Sequence, residues 1–428
     1  MFWLRIATLG MAYLASQTVW ALYNAYLPLL YGRFIASNAV IGLVMIIDNI
    51  ASVTAQPAFA ALSDRTVTRL GRRMPYLLAG MPLAAACFAL IPRAPTLALL
   101  LGATLLMNLG IAVFTTPSYA LMADISPEAR LGRANGVINA MGGLGALVAF
   151  FFLNPLYERS PAAPFDASSL LLLAALVLIL LAVPERRLAL PGGPRPDAGG
   201  TAPAALPPPG GEGELRLGDL GGVMSAVRTV LTDRDRRTLL LLLAALCWVA
   251  AVNGAQNMFT RYGVEHLGLT PTDATFLLGF FALAFIVFAV PAGLVGDRLG
   301  RLPAIRAGAV GILLTFLLMT AVEDAAAARY IFLLGGVSWA LIITNAYPVL
   351  LRLVPRALTG TYTGLWNVVI ALAGLLSPPL YGLVVDAFGF GAFFWPGIAF
   401  LMVGLACSLA IRGPGSSCAH AGPVEGCG

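Results

Sequence analysis

Uncharged apolar runs recur from one end of this chain to the other, and they limit its fold more than any other feature. Leu170–Val183, Thr238–Val252 and Phe393–Ile411 contain no charged residue, and many neighbouring runs approach the same length. A helix needs about 20 such residues to cross a bilayer. Of the 428 residues 59% are hydrophobic and 11% charged, against about 25% charged in a soluble domain. The expected architecture is therefore all-α and integral to the membrane. Twelve transmembrane helices are placed near 8–31, 39–62, 75–92, 97–122, 134–153, 169–184, 238–260, 273–295, 303–321, 329–350, 360–383 and 393–411. The first apolar run is too long and too rich in Trp and Tyr for a cleaved signal peptide, so it is read as a span that stays.

All 26 basic residues are Arg, and the net charge is +6. In a soluble protein that excess would point to nucleic acid; here it follows topology. With the N-terminus placed inside, 21 arginines fall on one side and 5 (Arg33, Arg93, Arg159, Arg261 and Arg329) on the other. The positive-inside rule then sets both termini in the cytoplasm of a multi-pass protein of the plasma membrane, the inner membrane of a bacterium. Arg33 and Arg261 read as interfacial anchors. Five Cys and two His show no metal-ligand or disulfide spacing, so no metal, cofactor or disulfide framework is expected. Without Lys there is no Walker loop, and neither HExxH nor GxSxG occurs, so no catalytic residue is assigned and an enzyme is not expected.

A stretch dominated by Pro, Gly and Ala, taken as 185–237, cannot bury a core and reads as a cytoplasmic linker. It separates a six-helix bundle at 1–184 from a second at 238–411, with a tail at 412–428. A shift of 228 positions maps Trp20 onto Trp248, Arg33 onto Arg261, Tyr119 onto Tyr347 and Pro127 onto Pro355. The same shift maps Gly132, Gly136 and Asn139 onto Gly360, Gly364 and Asn367. Such parallel repeats place a substrate between the halves near the bilayer midplane.

Polar side chains are sorted among the spans. The third, sixth, ninth and twelfth carry almost none and read as supports. The others carry them on one face: Ser16, Gln17, Trp20, Tyr23 and Asn24 on the first span, Asp48, Asn49, Ser52 and Gln56 on the second, and Asn253, Gln256, Asn257 and Thr260 on the seventh. Polar groups at that depth must face protein or a wet pathway. Flat aromatic faces beside amides suit a sugar ring and its hydroxyls. The candidate binding or coupling set is Asp48, Ser52, Gln56, Trp20, Tyr23, Asn24, Asn108, Tyr119, Asn139, Asn253, Asn257, Trp339, Asn345, Trp366 and Asn367. Each one alone could equally be helix-packing glue. Asp48 is the acid placed deep in a span, where a charge costs roughly 2.5–3.5 kcal/mol. Its alternative role is to join helices as a neutral carboxyl.

The loop after the second span reads Ser63-Asp64-Arg65-Thr66-Val67-Thr68-Arg69-Leu70-Gly71-Arg72-Arg73, and the one after the eighth reads Gly296-Asp297-Arg298-Leu299-Gly300-Arg301. This pair resembles the cytoplasmic signature of the major facilitator superfamily. The resemblance implies two pseudo-symmetric six-helix bundles and a charge network that latches them shut on the cytoplasmic side. That role is carried to Asp64, Arg65, Arg72, Asp297, Arg298 and Arg301. Asp124, near Arg130 and Arg133, is read as a helix-end ion pair within the same latch. The segments 69–76 and 117–124, with Arg130, Arg133, Ala134 and Asn135, look like the glycoside–pentoside–hexuronide and sucrose–proton symporters. They imply cation-coupled glycoside uptake. Melibiose-type members carry acids where Ser52 and Gln56 align; the acid here is Asp48, one turn away, which favours a proton over sodium.

The expected function is thus secondary active transport by alternating access, in membrane lipid and as a monomer, of a sugar driven by a coupling proton. An efflux carrier for amphipathic compounds is the rival, supported by Phe276, Phe280, Phe281, Phe285 and Phe288 on the eighth span. A membrane enzyme or receptor is the alternative of another class.

Overall fold

The computed structural model describes residues 2–66, 68–183, 236–322, 324–354 and 358–411, without the side chains of 48–54, 57, 128, 129 and 325. Most of the expected linker and the whole tail lie outside the described residues. The first half contains α1 (Phe2–Gly32), α2 (Asn38–Val44), α3 (Ile47–Arg65), α4 (Met74–Leu90), α5 (Leu97–Ile125), α6 (Glu128–Leu147) and α7 (Ala163–Ala182). The second half contains α8 (Arg237–Glu265), α9 (Pro271–Leu299), α10 (Arg301–Met319), α11 (Ala325–Leu353), α12 (Thr359–Phe388) and α13 (Trp395–Ala410). Ten helical stretches among the described residues are long and apolar enough to cross a membrane. The 31-residue α1 and the α2–α3 pair are not among these ten; counted with them, the helices are consistent with the expected twelve spans.

Local chemistry sets the ends. Thr96 and Thr270 cap α5 and α9 by accepting from the Leu99 and Asp273 amides, removing orphan donors of the first turn. Gly300 and Gly389, at φ 95° and 80°, stop α9 and α12 in backbone conformations that other residues rarely adopt. Most helices run several residues beyond the apolar windows, because their ends leave the hydrocarbon and no longer need apolar side chains.

Two spans depart from the sequence reading. The second is not continuous: it breaks at Met45–Ile46, so that α2 and α3 are separate pieces. The fifth loosens beyond α6 into a π-helical stretch, Val148–Leu153, and then a 3₁₀ turn, Asn154–Glu158.

The supporting role expected of every third span matches the packing. α4 lies on α5 and α7, α7 on α1 and α4, α10 on α11 and α13, and α13 on α8 and α10. Their outer faces are apolar and open, as at Leu170, Leu181, Leu314 and Val403. Close approach within each half uses small residues, as where Gly110 meets the Gly80–Ala84 backbone and Gly145 meets the Leu14 carbonyl. The halves meet through α1 on α8, α2 on α12, and the end of the fifth span on α9.

Candidate functional site

Trp20 and Asn24 on α1, Gln56 on α3, Asn139 on α6, Asn253, Gln256 and Asn257 on α8, Trp339 on α11 and Asn367 on α12 are all half-buried. Amides at such depths face protein or water rather than lipid. Asn257 Nδ2 donates to Asn253 Oδ1 at 2.6 Å, so two amides one turn apart act as a unit. Trp20 meets Tyr23 edge to face at 5.2 Å. Asp48 and Ser52 lie on α3, and their side chains are outside those described.

Other candidates are packed away. Asn345 is fully buried and donates to the Ala292 and Leu341 carbonyls at 3.1 and 3.0 Å, joining α11 to α9. In this conformation it is a joint between helices. Trp366 is buried against Tyr347, and Tyr23 is fully buried. Asn108 is buried with both amide atoms lacking a hydrogen-bond partner, a cost of about 1–3 kcal/mol. Tyr119 meets Tyr13 edge to face at 5.2 Å. With Ser16, Thr115 and Ser118 these tyrosines line a small cavity between α1, α5 and α6, closed by apolar Leu9, Phe114 and Ile138. Tyr13, Thr115 and Ser118 were not singled out from sequence, although Thr115, Ser118 and Tyr119 follow the helical spacing of one face.

The signature charges lie at one end, the Arg-rich end, and the ion pairs described there close within a half. Arg73 is the centre of the first set: its Nη2 stands 2.5 Å from Asp64 Oδ1, its Nε 3.3 Å from Asp124 Oδ2, and its Nη1 donates to Ser63 Oγ at 2.5 Å. Arg72 reaches Asp124 only at 3.8 Å. Asp124 therefore pairs with Arg73 and Arg72, not with Arg130 and Arg133; Arg130 stands over the Phe2 ring, 5.6 Å from its centroid, and Arg133 is exposed. In the second half Arg301 pairs with Asp297 at 2.7 Å, one turn apart. Arg65 and Arg298 are exposed. A Cβ at Gly132, Gly136 or Gly360 would meet nothing within 4 Å. Among the described residues, none of these ion pairs joins the two halves at this end.

The opposite, Arg-poor end is shut. Asp386 on α12 receives Ser37 Oγ (2.6 Å), the Asn38 amide and Nδ2 (both 2.8 Å) and the Ala39 amide (2.9 Å), all from the start of α2. Gly42 packs on the Pro378–Pro379 backbone and Gly382 on that of Asn38 and Ala39. Asn154 accepts from Tyr26 and donates to the Thr272 carbonyl at 2.9 Å. Phe151 sits edge-on to Phe276 and Phe280 at 4.9 and 5.7 Å, so two of the eighth-span phenylalanines close the interface. Arg33 is exposed as expected, but Arg261 is not an interfacial anchor: it is 8% exposed and lies against Gly32.

A family model described as Major Facilitator Superfamily matches residues 9–378 and 264–418. Among solved structures, a variant of the nucleoside transporter NupG is similar at TM-score 0.72 and 12% identity, over 94% of this chain and 99% of that one. A bacterial homologue of the human lysosomal transporter Spinster, inward-facing and unoccupied, gives 0.71 and 12%, over 95% of each chain. A POT family transporter in complex with 5-aminolevulinic acid gives 0.67 and 14%, over 94% of each. At such identities these likenesses speak for the fold. No curated protein is similar enough in sequence to count as a match.

Proposed function

The chain belongs to the major facilitator superfamily, and from that premise we propose that it is a proton-coupled symporter that takes up a sugar or glycoside by alternating access. The observation that carries the substrate class is a set of half-buried amides and indoles: Trp20, Asn24, Gln56 and Asn139 in the first half, and Asn253, Gln256, Asn257, Trp339 and Asn367 in the second. Amides donate and accept at once, as neighbouring hydroxyls require, and indole faces stack on the apolar side of a sugar ring. The rival efflux reading leaned on the eighth-span phenylalanines, of which Phe276 and Phe280 pack on Phe151 at the closed end.

The arginine asymmetry supports reading the Arg-rich end as cytoplasmic, in a protein we take to lie in a bacterial inner membrane. The conformation described is then inward-facing, and a monomer suffices for the cycle. Asp48, the acid within the second span, is the proposed proton carrier, because an ionisable group at that depth is costly unless it serves a pathway.

Uptake of a labelled sugar panel into proteoliposomes tests this, with and without an imposed pH gradient. Wild type is expected to concentrate one of the sugars when the gradient is present. Asp48→Asn is expected to equilibrate that sugar without concentrating it. A variant that still concentrates it would remove Asp48 from coupling, and export of hydrophobic cations in place of sugar uptake would discard the glycoside assignment.

A further inference from the structure

We propose that Asp386 is a two-position switch: with the Arg-poor end closed it holds the start of α2, and when α2 withdraws it pairs with Arg261. The inference rests on the alternation proposed above.

Two observations meet here. Asp386 accepts four hydrogen bonds, and every donor (Ser37, Asn38 twice, Ala39) belongs to the other half. Arg261, on α8 of the same half as Asp386, is buried with Nε and Nη1 lacking any acceptor. Among the described residues, Glu265 and then Asp386 are the carboxylates within electrostatic reach of its guanidinium. Two buried guanidinium nitrogens without an acceptor are costly, so this conformation carries a penalty that the other can remove.

The geometry couples the loss to the gain. Nη1 of Arg261 presses on Gly32, where a Cβ would overlap it. Gly32, Ser37, Asn38 and Ala39 are all in the first half, so one movement that carries that half away both frees the guanidinium and strips Asp386 of its four donors. Arg261 and Asp386 stay together, because α8 packs on α12. Charge-assisted bonds are the stronger kind, and here one carboxylate has two exclusive sets of them. That is the bistability a gate needs. A solute anion is a poor partner for Arg261, since 8% exposure against a glycine backbone leaves no room for one.

The test reads the gate without any solute, so it stands or fails apart from the sugar assignment. Spin labels go at Ser160 and Thr320, exposed at the Arg-poor ends of the two halves, in full-length protein with its native cysteines replaced by alanine. Ser37→Ala with Asn38→Ala, which removes the two side-chain donors to Asp386 together with the Ser37 cap of α2 and leaves the two backbone amides, is expected to raise the ratio of long to short distances by about tenfold. Arg261→Gln is expected to lower it by a similar factor, and to have a smaller effect in an Asp386→Asn background. Arg261→Lys, which keeps the charge, should hold the wild-type ratio. Opposite directions are the signature, because general destabilisation would move both variants the same way. An Arg261→Gln that lengthens the distance, leaves it unchanged, or acts equally with Asp386→Asn overturns the switch.

Discussion

Gly382→Leu is expected to leave both halves folded yet unable to close at the Arg-poor end, and therefore to abolish solute accumulation. A Cβ at 382 would overlap the Asn38 carbonyl and stand 2.6 Å from the Ala39 nitrogen; one at Gly42 would overlap the Pro378 carbonyl and stand 2.7 Å from the Pro379 nitrogen. Every atom met is backbone, so no rotamer change relieves the clash. Overpacking costs typically about 1–3 kcal/mol even where side chains can yield, and 3 kcal/mol displaces a two-state equilibrium by more than about a hundredfold. The clash lies between the halves, so it raises the energy of the closed arrangement and not of either bundle. Gly136→Leu is the control, since a Cβ there meets nothing. The label distance across the Arg-poor end, read beside the thermal midpoint, separates the cases. Short distances and normal uptake in Gly382→Leu would mean that α2 and α12 need not meet for the cycle to run.

Much of this architecture was legible in the residues. Apolar length located the spans, because lipid imposes it on every helix that crosses. The scarcity of polar groups on every third span correctly separated α4, α7, α10 and α13 as supports, since a side chain facing lipid has no polar partner. Contacts between the halves were not legible. Asp386 and Ser37 are 349 positions apart, and nothing in the apolar pattern of either segment announces the other. The break at Met45–Ile46 was hidden for a related reason: α2 packs on the opposite half while α3 packs on its own, and an apolar run looks the same in either case.

Arginine gave a subtler lesson. Counting charge at span ends treats Arg33 and Arg261 alike, and the 228-residue register pairs them. Arg33 is exposed and Arg261 buried, because the end of α8 lies under Gly32 of α1. The register preserves place in the repeat but not what stands opposite. The same limit applied at the Arg-rich end. The Asp-Arg signature was readable, but which of two adjacent arginines points inward depends on where α4 begins, and Met74 is its first residue.

That choice gives the other large effect: Arg73→Ala is expected to destabilise the protein by on the order of 3 kcal/mol, and by more than Arg72→Ala. Arg73 has a side chain 6% exposed and ties Asp64 and Ser63 at the end of α3 to Asp124 at the end of α5. Removing it leaves the 9%-exposed Asp124 side chain with Arg72 at 3.8 Å as its remaining ion-pair partner among the described residues. Stranding a buried carboxylate costs far more than a surface pair is worth. The Arg72 side chain is 30% exposed at that longer distance, where solvent screens most of the attraction. Arg73→Lys should fall between, because an ammonium is a point donor and cannot face Ser63 and two carboxylates as a planar fork does. Thermal midpoints of the purified proteins in detergent rank the three, and equal losses for Arg72→Ala and Arg73→Ala would refute the assignment of Arg73 as the centre. The pairs described around Arg73 lie in the first half, so the loss should be similar whichever end is open. A change of label distance at the Arg-poor end in Arg73→Ala would instead mean that this cluster also takes part in the alternation.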